Sequence, residues 1–132
     1  YLYIVYKYMN TAVCVLIINE TNNNFLSVTL KEDHTDFNLP GGKVEMNETF
    51  QQAAIREIKE ETGLDIYNLT FLHKDIDIDY EVITYYTKEY QGFINTVENH
   101  IVRWLPLYDL TKSKKWPEYN SMVYNKFLEL KL

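Results

Sequence analysis

Glu57, Glu60 and Glu61 stand at i, i+3 and i+4 within a stretch of good helix formers, Gln51 to Thr62. On a helix that spacing puts the three carboxylates on one face. Like charges so placed destabilise an isolated helix, and a divalent cation reverses the sign. Carboxylate oxygens are hard ligands suited to Mg2+, which keeps waters and binds substrate phosphates as well. Just upstream, Gly41 and Gly42 let the backbone come close to a phosphate or a metal. The competing reading is a solvated acidic helix face.

The full run Gly42 to Leu64 decides between them. It reads GKVEMNETFQQAAIREIKEETGL, with Gly42, Glu48, Arg56-Glu57-Ile58, Glu60-Glu61 and Gly63-Leu64 in place. This resembles the Nudix box, Gly-x5-Glu-x7-Arg-Glu-U-x-Glu-Glu-x-Gly-U with U aliphatic, and every position is met. The resemblance implies hydrolysis of a nucleoside diphosphate linked to another group, by metal-assisted attack of water on phosphorus. It implies that Glu57, Glu60 and Glu61 are metal ligands, one of them a possible general base, with the Gly41 carbonyl as a further ligand. Arg56 would orient a neighbouring glutamate and Glu48 would brace the loop. Glu98, six residues before Trp104, matches a further catalytic and metal-binding glutamate of MutT-type members. The implied cofactor is Mg2+, with Mn2+ able to substitute.

The base is read outside the box. The ADP-ribose branch carries a proline some fifteen residues past the box glycine, where this chain has Ile78. Tyr80 fits the tyrosine of the diadenosine polyphosphate branch, although a match is cheap in a chain with 12 tyrosines. The nucleotide-pool-cleaning branch, MutT and the oxidised-purine triphosphatases, fits better. Phe37 to Val44 resembles its segment with a base-binding asparagine, here Asn38, and that segment also brings Gly42 and Lys43. Trp116-Pro117-Glu118 resembles its tryptophan-proline-acid segment, and Asn120 resembles the base-reading asparagine of MutT. An aromatic ring stacked on a base contributes about 1–3 kcal/mol, and an asparagine offers a donor and an acceptor together. The departures are Glu118 in place of Asp and Tyr119 in place of a second acid. The implied activity is Mg-dependent hydrolysis of purine nucleoside triphosphates, oxidised ones such as 8-oxo-dGTP included, to monophosphate and pyrophosphate. The alternatives are a diadenosine tetraphosphate hydrolase and a non-catalytic nucleotide-sensing module, and the intact box argues against the second.

Positioning these residues takes strands around one helix. Ala12 to Asn19 and Phe25 to Lys31 read as strands joined by a turn at Asn22-Asn23-Asn24, with Tyr1 to Tyr8 as an added edge strand and Glu32 to Asp36 as loop. Thr49 and Gln52 make a capping box for the box helix. Ala54 and Ile58 give that helix an inner face, and Gly63 ends it. Ile66 to His73, Tyr80 to Thr87 and Ile101 to Leu107 read as strands. Pro117 to Leu130 reads as a closing helix with Met122, Phe127 and Leu130 inward. That pattern gives an α/β (α+β) fold, a mixed β-sheet sandwiched between helices, and the Nudix fold is the one the box implies. His34, His73 and His100 show no ligand spacing and read as surface or strand residues.

At 132 residues the chain has room for a single domain, 1–132. The formal net charge is −6, from 13 basic and 19 acidic residues. It therefore lacks the basic face duplex nucleic acid requires, while an anionic small-molecule nucleotide remains open to it through cations. A lone cysteine, Cys14, excludes an internal disulfide and a Cys-based zinc site; it reads as a small core residue in a reducing, cytoplasmic setting. The longest apolar run, Ala12 to Ile18, is too short to span a bilayer, so no membrane association is expected. A monomer and a homodimer are both compatible with the sequence. The chain opens at Tyr1 rather than Met, which leaves room for residues upstream.

Overall fold

The central strand β1 (Asn10–Asn19) explains its own composition. Val13, Val15 and Ile17 point into one apolar cluster and Leu16 and Ile18 into another. A strand covered on both faces reads as a continuous apolar run, not an alternating one. Burying each such side chain contributes about 1.5–3 kcal/mol. The computed structural model describes residues 10–77, 80–95 and 99–130. The expected Tyr1 to Tyr8 strand, Ile78 and Glu98 lie outside them.

β2 (Asn24–Thr29) pairs antiparallel with β1 through Ile18–Phe25 and Asn19–Asn24. The turn between them is built by asparagines. Asn19 Oδ1 accepts from the Thr21 N–H at 2.9 Å, Asn22 Oδ1 accepts from the Asn24 N–H at 3.0 Å, and Asn23 takes the left-handed conformation. β3 (Phe37–Asn38) and β4 (Gly41–Lys43) follow the loop after β2 and pair with β2 and β1. Helix α1 (Phe50–Thr62) carries the box. Its capping box forms as the sequence requires, with the Thr49 hydroxyl accepting from the Gln52 N–H and the Gln52 side chain accepting from the Thr49 N–H. Gly63, at φ 86°, closes it.

Where a single strand Ile66 to His73 is expected, the chain makes two. β5 (Asp65–Tyr67) and β6 (Thr70–Asp77) are separated at Asn68, whose φ of 51° is incompatible with a strand. β7 (Tyr80–Thr87) runs parallel to β1 from Asn10–Tyr80 to Ile17–Thr87 and antiparallel to β6. β8 (Glu89–Gln91) pairs with β5 in a separate small sheet. β9 (Val102–Pro106) pairs with β2 and leads through a 3-10 turn (Leu107–Lys112) to helix α2 (Pro117–Glu129). Among the described residues the main sheet is therefore mixed, in the order β3-β2-β1-β7-β6, with β4 beside β1 and β9 beside β2.

Among the described residues, each face of this sheet carries one helix. Ala53, Ala54 and Ile58 of α1 join the Val13, Val15 and Ile17 cluster. Val123 and Phe127 of α2 join Leu16, Ile18 and Phe25. The expected inner face of α2 is corrected here. Phe127 is buried, but Met122 and Leu130 are 47% and 43% exposed. The buried stripe is instead Asn120, Val123 and Phe127, at i, i+3 and i+7. An asparagine in that stripe broke the apolar pattern on which the expectation rested.

Candidate active site

Box residues meet between α1 and the β3–β4 segment. Arg56 is the hub. Its Nε donates to Glu48 Oε2 at 2.6 Å and its Nη2 to Glu48 Oε1 at 2.9 Å, a bidentate pair. Nη2 also donates to the Lys43 carbonyl at 3.1 Å, and Nη1 donates to Glu57 Oε1 at 2.9 Å and to both Glu60 oxygens at 3.4 Å. Glu48 Oε1 accepts the Glu45 N–H as well, at 2.9 Å. One guanidinium thus ties α1 to β4 and to the loop before the helix. Hydrogen bonds from Arg56, then the one from Glu45, hold the Glu48 carboxyl down at about 2. In return Glu48 and, less, Glu57 raise the Arg56 pKa.

Two close approaches fix the glutamates. Glu61 is buried, and its Oε1 accepts the Gly41 N–H at 2.7 Å. Glu57 packs against Gly42 so closely that a Cβ there would lie 2.5 Å from both carboxylate oxygens. Glu57, Glu61 and Gly41 line one cavity of about 300 Å³ together with His100, Lys31 and Trp116. Glu60 does not join them. It lies beside Arg56 with its side chain 48% exposed and lines neither cavity. Glu60 and Glu61 are successive residues, about 100° apart around the helix, so only one of them can face the β3–β4 backbone. Among the described residues no three His, Cys, Asp or Glu side chains are gathered closely enough to hold an ion. What fits a divalent cation is the donor set of Glu57 and Glu61, two hard carboxylates in one cavity beside a glycine backbone.

A second cavity of about 310 Å³ adjoins the first, and Asn38, Leu39, Gly41 and Trp116 line both. Its other walls include Gly42, Cys14, Asp75, Tyr80, Tyr119 and Asn120. Trp116 is 41% exposed and borders both spaces. Asn38 is 3% exposed and is held within the protein. Its Oδ1 accepts from Ser113 Oγ at 2.6 Å and from Asn120 Nδ2 at 2.8 Å, and its Nδ2 donates to the Asp36 carbonyl at 3.4 Å. Asp36 in turn accepts the Lys114 and Lys115 backbone N–H groups at 2.9 and 3.0 Å, which fixes the loop ahead of Trp116. Lys43 and Glu118 are exposed and line neither cavity.

Several participants were not singled out in the sequence. Asp36, Ser113 and Asp75 are common polar residues, and Ser113 is 75 positions from the asparagine it touches. His100 is neither surface nor strand. It is buried in the loop before β9, and its Nε2 donates to the Glu61 carbonyl at 3.1 Å. His73 lies in β6 as expected but is buried, its Nε2 without a hydrogen-bond partner among the described residues. Cys14 forms part of the cavity wall, not a closed core. Its Sγ is 3.0 Å from Thr84 Oγ1, which is 2.5 Å from the Tyr119 hydroxyl. Burial pushes the Cys14 thiol up to about 11 and raises the Tyr119 phenol as well. His34 is exposed. No helix among the described residues is long and apolar enough to cross a membrane.

The chain is 29% identical over 125 residues to the 8-oxo-dGTP diphosphatase of Buchnera aphidicola subsp. Schizaphis graminum, covering 89% of this chain and 91% of that one. It is 28% identical over 103 residues to the 8-oxo-dGTP diphosphatase of Escherichia coli K12, covering 76% of this chain and 67% of that one. An ADP-ribose pyrophosphatase of Methanocaldococcus jannaschii is 48% identical over 59 residues, but the chain spans only 35% of that relative's length. A solved structure from work on MutT of Aliivibrio salmonicida and Vibrio cholerae superimposes with a TM-score of 0.79 at 21% identity, over 92% of this chain and 98% of that one. Since a family model described as NUDIX domain matches residues 8–127, the chain belongs to the Nudix family, as a MutT-like hydrolase.

Proposed function

We propose that the chain, acting as one catalytic unit over residues 1–132, hydrolyses purine nucleoside triphosphates to monophosphate and pyrophosphate on a cytoplasmic nucleotide pool. The observation that carries this reading is the shared wall. Asn38, Leu39, Gly41 and Trp116 border both the cavity of amides and aromatic rings and the cavity of Glu57 and Glu61. A ligand with a flat, hydrogen-bonding head and an anionic tail suits the joined spaces, and a nucleotide is such a ligand. The 8-oxo-dGTP diphosphatases of Buchnera aphidicola and Escherichia coli support a purine triphosphate.

Glu57 and Glu61 would hold a divalent cation, with the Gly41 carbonyl, Glu60 and Glu98 as further candidates. When bound, Mg2+ supplies charge neutralisation at the phosphates and activation of water. The chain's own residues do the rest. Arg56 holds Glu57 through Nη1 and fixes the helix to β4 through the Lys43 carbonyl. Glu48 locks Arg56 in that position. The Gly41 N–H orients Glu61. Trp116 offers its face to a base, and stacking there contributes about 1–3 kcal/mol. Lys43 and Glu118, exposed at the rim, would meet only the outer parts of a ligand.

A panel of dGTP, 8-oxo-dGTP, dATP, dCTP, ADP-ribose and diadenosine tetraphosphate, with products identified, tests the reading. The expected result is highest kcat/KM on a purine triphosphate, pyrophosphate as product, and no turnover in excess chelator. Faster cleavage of diadenosine tetraphosphate than of any triphosphate would replace this reading. Tyr80, which lines the second cavity, would then be the residue to examine.

A further inference from the structure

Resting on the nucleotide reading above, we propose that Ser113 is a positioning residue that locks the Asn38 amide in one orientation and so sets which base edges the cavity accepts. The Ser113 hydroxyl is committed on both sides. It accepts the Trp116 N–H at 2.9 Å and donates to Asn38 Oδ1 at 2.6 Å. Asn120 Nδ2 donates to the same oxygen at 2.8 Å. An amide oxygen has two lone pairs, and both are used. On its other branch, Asn38 Nδ2 faces the Asp36 carbonyl at 3.4 Å. Turning this amide over would set Nδ2 against Nδ2 of Asn120 and oxygen against the Asp36 carbonyl.

The consequence is chemical. With both lone pairs of its oxygen used, what Asn38 has left to offer a ligand is an N–H and no acceptor. Asn120 has one N–H committed to Asn38, so the acceptor this wall offers is its carbonyl oxygen. The wall thus presents one donor and one acceptor in a fixed order. A 6-oxopurine and a 6-aminopurine carry the complementary pair in opposite orders along their Watson–Crick edges. A base stacked on Trp116, with its phosphates drawn towards Glu57 and Glu61, cannot turn over to exchange them. Without the Ser113 hydroxyl, Asn38 loses one of the two donors that hold its oxygen inward. The pair of amides can then turn together and present the opposite order.

Ser113 is buried and does not line either cavity, so a direct ligand contact does not explain an effect of its substitution. The experiment is kcat/KM for dGTP and dATP on the parent and on Ser113→Ala. The parent is expected to prefer dGTP, and Ser113→Ala to reduce that preference about two- to tenfold, the range for one lost hydrogen bond. An equal fall on both substrates would overturn the proposal, because a hydroxyl that only holds the loop affects every base alike. A parent without any preference would overturn the base-pocket reading itself, a separate outcome. A second measurement needs no variant. Side-chain amide protons of Asn38 and Asn120 in the parent, followed by NMR, should exchange with solvent at least tenfold more slowly than those of exposed Asn22. Exchange at the Asn22 rate would show an unlocked amide and sink the proposal.

Discussion

Gly42→Ala separates what holds the fold from what aligns the site. The backbone at Gly42 is not in the left-handed region, so alanine meets no conformational barrier there. The added Cβ would stand 2.5 Å from both Glu57 carboxylate oxygens, where ordinary contact begins at 3.4 Å. The carboxylate must therefore retreat by about 1 Å, and as the far end of a flexible side chain it can, so the cost to folding is small. A displacement of about 1 Å in a positioned group lowers a rate by about 100-fold. Gly41→Ala is the contrast. Its Cβ would sit on backbone, at the Val13 carbonyl and 2.6 Å from Cys14 Cα, and would break the pairing of β4 with β1. The assay is pyrophosphate release from dGTP beside a thermal melt. Gly42→Ala should melt within a few degrees of the parent with kcat/KM about 100-fold lower, and Gly41→Ala should melt far earlier. Gly42→Ala activity within threefold of the parent would refute the idea that Glu57 must sit where it does.

Trp116→Ala should lower kcat/KM about five- to hundredfold, by the same factor for dGTP, dATP and dCTP; a loss confined to one base would assign Trp116 a different role. Arg56 depresses Glu48 from 4.5 to about 2. The stability this ion pair contributes is therefore fully present above pH 4.5 and lost as pH falls through about 2. The melting-temperature gap between the parent and Glu48→Gln should be constant from pH 7 to 5 and close below 4.5, and a gap that widens on acidification would contradict the pairing. Cys14, raised from 9.0 to about 11, should react with iodoacetamide at pH 8 about 100-fold more slowly folded than unfolded, the ratio of the thiolate fractions.

How much of this was legible in the sequence follows from how local each signal is. The capping box at Thr49 and Gln52, the closing Gly63 and the asparagine turn after β1 depend on residues within four positions of one another, and all form. The mixed sheet between helices followed from the order of strands and two helices along the chain, and the apolar run of β1 fits it, because a strand apolar on both faces requires cover on both. The split of β5 from β6 was missed, since Asn68 looks like any polar residue until its φ is known. The α2 stripe failed for the opposite reason. A buried asparagine satisfied by another asparagine reads as surface in a pattern of apolar periods.

The site divides along the same line. Arg56, Glu48, Glu57 and Glu61 are bound by a spacing that a helix and its preceding loop translate directly into contacts. Spacing alone could not separate Glu60 from Glu61, because helical geometry makes both neighbours of Glu57 and only the position of β3–β4 decides which one faces the cavity. The base side has no local code. Its amide wall is assembled from β3, the loop at Ser113 and the first turn of α2, brought together by Asp36 capping two backbone N–H groups from across the chain. On the proposed reading, hydrolytic machinery sits in one helix and specificity in long-range contacts, and the two can change independently. On that reading a substitution at Ser113 or Asp36 redirects base choice without touching a box residue, so a box match says little about which base a chain accepts.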